Sequence, residues 1–172
     1  VILSFTSCVK SQAKVLGRTP TYTPVSYSSD TLLIVFSGES NSGGNALNSA
    51  ATSAELLPRN VQILNNQTLA FDSLRIGVNN LLGHSGYECC TATKHGWELG
   101  VANAFDSSTF NDRLVKIVKT GQGGSTMSQW GVGSAYWDTM QLRVDTALSL
   151  LGGNPEVVLF YSQGINDILA ST

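Results

Sequence analysis

The chain has 172 residues, the length of one ordinary domain, with 42% hydrophobic residues and 13% charged ones. That balance allows a real core and excludes a disordered chain or a coiled coil. Ten basic against twelve acidic residues give a net charge of −2, which leaves no electrostatic footprint for nucleic acid and no polybasic run for an anionic membrane surface.

The chain opens Val1-Ile2-Leu3-Ser4-Phe5-Thr6-Ser7-Cys8. A short apolar run ending in small residues before a cysteine resembles the tail of a bacterial lipoprotein signal peptide. That resemblance implies an exported protein, periplasmic, extracellular or anchored to the outer membrane through a lipid on Cys8. An ordinary N-terminal strand burying Cys8 fits the same residues. Residues 10–29 then read as a linker rich in Ser and Thr, with Pro20 and Pro24 favouring extended backbone. The expected division is therefore residues 1–29 as leader remnant plus linker, and residues 30–172 as the folded domain. No apolar stretch in the sequence is long enough to span a bilayer as a helix.

Residues 31–36 (TLLIVF) form a continuous apolar run, β-branched and aromatic, bounded by polar residues. A central strand covered on both faces has this pattern. Residues 114–118 (LVKIV) and 156–161 (EVVLFY) read the same way. Residues 61–64 and 68–71 suggest a short hairpin around Asn65-Asn66-Gln67, and residues 97–105 a short helix on the sheet. Between the second and third apolar runs, Trp137, Met140, Val144, Ala147, Leu148 and Leu151 recur at helical spacing. They predict a helix over 135–151, stopped by Gly152-Gly153. Strand, helix, strand is a βαβ unit with a parallel strand pair. The expected fold is a three-layer α/β/α domain with a parallel, flavodoxin-like sheet and helices on both faces.

Each apolar run ends in a polar, glycine-containing loop: residues 38–44 (GESNSGG), 121–125 (GQGGS) and 162–167 (SQGIND). In open parallel sheets, ligands bind at the carboxyl ends of the strands, so these loops share one edge. Acyl transfer needs a nucleophile, a base and donors for the oxyanion. Ser40 offers a hydroxyl among small neighbours. Gly123 or Gly124 offers a backbone N–H with no side chain in the way. Asn166 offers a side-chain N–H₂. Cys8, Cys89 and Cys90 are an odd set without a CxxC pair, and only His84 and His95 accompany them, so no metal site is expected.

With these residues in view, the chain resembles the Ser-Gly-Asn-His (SGNH) hydrolases, in the carbohydrate acetylesterase branch related to sialate O-acetylesterase. The resemblance covers roughly residues 31–172. Gly38-Glu39-Ser40-Asn41 is similar to the first block, where many members have Asp or Gln in place of Glu39. Residues 119–125, followed by Trp130, are similar to the second block, with Gly123 as the oxyanion glycine and Gly124 the alternate. Gln163-Gly164-Ile165-Asn166-Asp167 matches the third block and its oxyanion asparagine. His95-Gly96-Trp97-Glu98-Leu99 resembles a further segment of that branch.

The resemblance implies a serine esterase, without cofactor or metal, that removes acetyl groups from carbohydrates. Ser40, Gly123 and Asn166 would be catalytic, and Asn41, Gln163 and His95 substrate-binding. The fourth block, Asp-x-x-His, has no match: both histidines precede the second block. The expectation is a domain that stops before that block, with the catalytic His and Asp beyond Thr172. His95 as a substitute base, a lipid or thioester as substrate, and a carbohydrate-binding or surface protein that lost catalysis are the alternatives.

Overall fold

A computed structural model describes residues 31–53, 61–80, 93–107 and 114–170. Cys8, the proposed linker, His84, Cys89 and Cys90 lie outside the described residues. The described chain forms a five-stranded sheet with helices against both faces.

The first strand, β1 (Thr31–Gly38), is its organising element. Parallel to it on one side runs β6 (Leu114–Lys119), and on the other β7 (Glu156–Ser162). Beyond β6 lies β3 (Val61–Asn65), also parallel, and then β4 (Ala70–Ser73), antiparallel to β3. The expected hairpin is therefore present, and it extends the main sheet. The sheet is mainly parallel, with one antiparallel strand. Two-residue strands β2 (Ala46–Leu47) and β5 (Lys94–His95) pair separately.

Alternation along β1 explains why its apolar run is continuous. Leu32, Ile34 and Phe36 point to one face, where they pack with Ile63, Val115, Ile117 and Ala102. Leu33 and Val35 point to the other, with Leu64, Val118 and Ala147. Ala102 belongs to helix α2 (Trp97–Ser107) and Ala147 to helix α3 (Ala135–Leu151), so each face has its own helix. The remaining helices, α1 (Ser40–Gly43) and α4 (Ile165–Ala170), follow β1 and β7 directly.

Helix α3 occupies the residues that the periodicity predicts. The Ser134 hydroxyl caps it by accepting from the Trp137 N–H, and Gly152, at φ 62°, closes it with an N–H to the Leu148 carbonyl. Its stripe packs on the sheet through Val144, Ala147, Leu148 and Leu151. Trp137 and Met140, nearer its start, are half-buried and outside that cluster.

Two details differ from expectation. The strands on either side of α3, β6 and β7, are not neighbours, because β1 lies between them. Nor is β7 doubly covered: it is the edge strand, and Val157, Leu159, Phe160 and Tyr161 are each 39–53% exposed. Its run reads as a central strand because its sequence is apolar on both faces, yet no described strand pairs beyond it.

Candidate active site

Register places the ends of β1, β6 and β7 side by side. Phe36 lies opposite Lys119 and Phe160, and Gly38 opposite Ser162. The three polar loops leave from this one edge. Gly38 brings the first loop against the third by backbone contact alone. It sits at φ +114°, and a Cβ there would lie 1.9 Å from the Ser162 carbonyl oxygen. The next N–H, of Glu39, donates to that same carbonyl at 2.7 Å. Ser40 follows as the first residue of α1.

The second loop packs as closely. A Cβ on Gly121 would meet the Ser42 hydroxyl oxygen at 2.3 Å and the Gly43 nitrogen at 2.5 Å, and the Gln122 N–H donates to the Gly38 carbonyl at 2.8 Å. Gly124 takes a positive φ of 72°, with nothing near the missing side chain. Among the described residues no hydrogen bond engages the N–H of Gly123 or Gly124, so both donors stay available.

The third loop is stitched to both others. Asn166 Nδ2 donates to Glu39 Oε2 at 3.2 Å and to the Ser125 carbonyl at 3.0 Å. Gln163 Nε2 donates to the same carbonyl at 2.5 Å. Asp167 accepts the Met127 N–H at 2.9 and 3.0 Å, and buried Trp130 donates Nε1–H to the Ser125 hydroxyl at 2.9 Å. Tyr161 lies beside this loop, and its hydroxyl is pushed above the ordinary phenol range by burial and then by the Asp167 carboxylate.

Ser40, Gly123, Gly124 and Asn166 thus come from loops in direct mutual contact, with one qualification of geometry. An amide nitrogen carries two hydrogens, and both from Asn166 are already engaged, by Glu39 and Ser125. Donation to an oxyanion exchanges one of these bonds for a new one. Ser40 has no hydrogen-bonded base among the described residues.

Asn41, the residue after Ser40, lines a cleft of about 540 Å³ together with Asn45, Ala46, His95, Gly96, Trp97 and Ser162. Two of the expected substrate-binding residues, Asn41 and His95, line it; Gln163 instead bonds to the Ser125 backbone. His95 Nδ1 is 3.0 Å from Asn48 Oδ1, so with that oxygen as acceptor Nδ1 carries the proton and Nε2 is left as an acceptor. A second groove of about 530 Å³ is lined by Leu159, Phe160 and Tyr161 and shares Trp97 with the first. The Trp97 ring packs edge-on against Phe36 and Phe160.

The cleft wall is held from behind by a buried polar cluster that sequence patterning does not reveal. Glu98 Oε1 accepts the Gly96 N–H at 2.8 Å and Asn80 Nδ2 at 3.0 Å, while Glu98 Oε2 pairs with Lys119 Nζ at 2.9 Å. Lys119 Nζ also donates to the Asn80 carbonyl at 2.8 Å. Gly96 in turn packs on Gly44, the residue closing α1. No group of histidine, cysteine and carboxylate side chains among the described residues is arranged to hold a metal.

Fold and site edge together define a three-layer α/β domain with a mainly parallel, flavodoxin-like sheet. No protein-family model matches the chain, and no curated protein sequence matches it. Solved structures do match. A protein from Arabidopsis thaliana superposes with a TM-score of 0.63 at 17% identity, over 80% of this chain and 58% of that one. NanS superposes with a TM-score of 0.59 at 15% identity, over 84% of this chain and 57% of that one. The chain therefore spans less than two thirds of either neighbour, and at these identities the likeness is one of fold.

Proposed function

We propose that this protein is a serine esterase that removes acetyl groups from carbohydrates through an acyl-enzyme. The observation that carries the reading is the Asn166 amide bonded both to Glu39, next to Ser40, and to Ser125, next to Gly124. It ties together the three loops that carry the expected nucleophile and oxyanion donors. Ser40 attacks the ester carbonyl, the Ser40 and Gly123 N–H groups and the Asn166 amide receive the oxyanion, and water releases the acetate. Gly124 is the alternate donor. The Asn41, His95 and Trp97 side chains in the adjoining cleft suit a sugar ring, with polar edges and one aromatic wall. The fold likeness to NanS supports the same reading.

A second reading rests on a different observation: the Ser40 hydroxyl has no bonded base among the described residues. A carbohydrate-binding protein that keeps the fold without catalysis fits that geometry. One experiment separates the two. The full gene product is assayed on an aryl acetate and on acetylated sugars. The esterase reading expects hydrolysis that disappears in Ser40→Ala. Sugar binding without hydrolysis supports the binder.

A further inference from the structure

We propose that Glu39 is a positioning residue, whose buried carboxylate fixes the Asn166 amide in one orientation beside Ser40 by bridging it to Asn41. Glu39 is 2% exposed. Its two oxygens take one amide each: Oε1 accepts from Asn41 Nδ2 at 3.2 Å, and Oε2 accepts from Asn166 Nδ2 at 3.2 Å. An ionised carboxylate only accepts, and so does the Ser125 carbonyl, the second partner of Asn166. A reversed Asn166 amide would lose both bonds and set its own oxygen against two others. The corner therefore selects the nitrogen end. Resting on the esterase reading, this is the end that an oxyanion at Ser40 needs.

The chemistry also says why glutamate suits this position. A glutamine has one accepting oxygen and one donating nitrogen, so it satisfies only one of the two asparagines as they stand. An aspartate is shorter by a methylene and cannot span the same pair.

The test begins with the side-chain amide protons of Asn166 and Asn41, followed by NMR in the unsubstituted protein and in Glu39→Gln. In the unsubstituted protein the Asn166 protons should exchange with solvent at least about tenfold more slowly than those of exposed asparagines. In Glu39→Gln that protection should fall about tenfold, with the backbone spectrum away from the loops unchanged. Unprotected Asn166 protons in the unsubstituted protein overturn the proposal, and that measurement stands even if the variant fails to fold. Protection that survives intact in a folded Glu39→Gln overturns it too. In the aryl acetate assay, Glu39→Gln should lower kcat about tenfold and leave KM nearly unchanged, the pattern of a lost transition-state contact. An unchanged kcat overturns the proposal when Ser40→Ala is inactive. If Ser40→Ala keeps full activity, the esterase reading fails, and the amide measurements alone decide the role of Glu39.

Discussion

Glu98 and Lys119 form an ion pair 2.9 Å apart, with neither side chain exposed to solvent. The pair joins the first turn of α2 to the last residue of β6. It stands directly behind the cleft wall, because Glu98 also holds the Gly96 N–H. Breaking such a pair leaves a buried charge without its partner, which typically costs about 3–5 kcal/mol. Lys119→Met should therefore lower the urea midpoint by an amount equivalent to about 3–5 kcal/mol, with an unchanged slope. A loss below about 1 kcal/mol would show that water reaches the Glu98 carboxylate.

Two glycines should respond in opposite directions. Gly38→Ala puts a Cβ on a positive-φ residue and 1.9 Å from the Ser162 carbonyl oxygen. The backbone conformation alone costs about 1–3 kcal/mol, before the clash is relieved. Gly100 lies inside α2, with open space where its Cβ would stand. Gly100→Ala should stabilise the fold by about 0.5–1 kcal/mol. Thermal unfolding of both variants measures the contrast.

Much of the fold was legible in the sequence because its signals are local. The run from Leu32 to Phe36 and the stripe from Val144 to Leu151 each declare an element within a few residues. The polar loops were legible for a related reason, since parallel strands bring their carboxyl ends to one edge. What stayed hidden depends on distant partners. Nothing near Lys119 marks it as buried; its burial needs Glu98 and Asn80. Strands β2 and β5 hold two residues each, too few for any period to appear. The burial of Glu39 likewise depends on Asn166, contributed by another loop. The bond from the Met127 N–H to Asp167 was equally hidden, because it joins residues 40 positions apart.

The exposed face of β7 should govern solution behaviour. Leu159 is 53% exposed on an edge strand, and Ile165, Ile168 and Leu169 of the following helix are 53–67% exposed. Long apolar edges promote pairing with other chains, and a charge on the edge blocks it. The 172-residue chain should associate with rising concentration, and Leu159→Lys should reduce that association. Sedimentation velocity across a concentration series tests this; equal association in both proteins would place the contact elsewhere.

His95→Ala distinguishes a substrate contact in the cleft from a catalytic base. The His95 ring is 3.0 Å from Asn48 and lines the space beside Asn41. As a substrate contact, His95→Ala in the full gene product should raise KM about tenfold on an acetylated sugar and leave kcat within a factor of about two. On an aryl acetate, which lacks the sugar ring, the change should nearly vanish. A kcat that collapses on both substrates would instead make His95 the base.

On the proposed esterase reading, Asn166→Ala should act differently, through kcat. Loss of one oxyanion donor costs about a hundredfold or more, with little change in KM when the contact forms only in the transition state. Steady-state kinetics on the same aryl acetate read both constants.

The bond between Glu39 and Asn166 spans 127 positions of chain. Closing a loop of that length costs about 4 kcal/mol in chain entropy, which β1, β6 and β7 must offset together. As the polypeptide leaves the ribosome, the serine emerges early and its amide partner late. Until the last of these strands has paired, Ser40 and Asn166 share no corner. Whatever this corner does, it can do only after strands far apart in the chain have assembled around it.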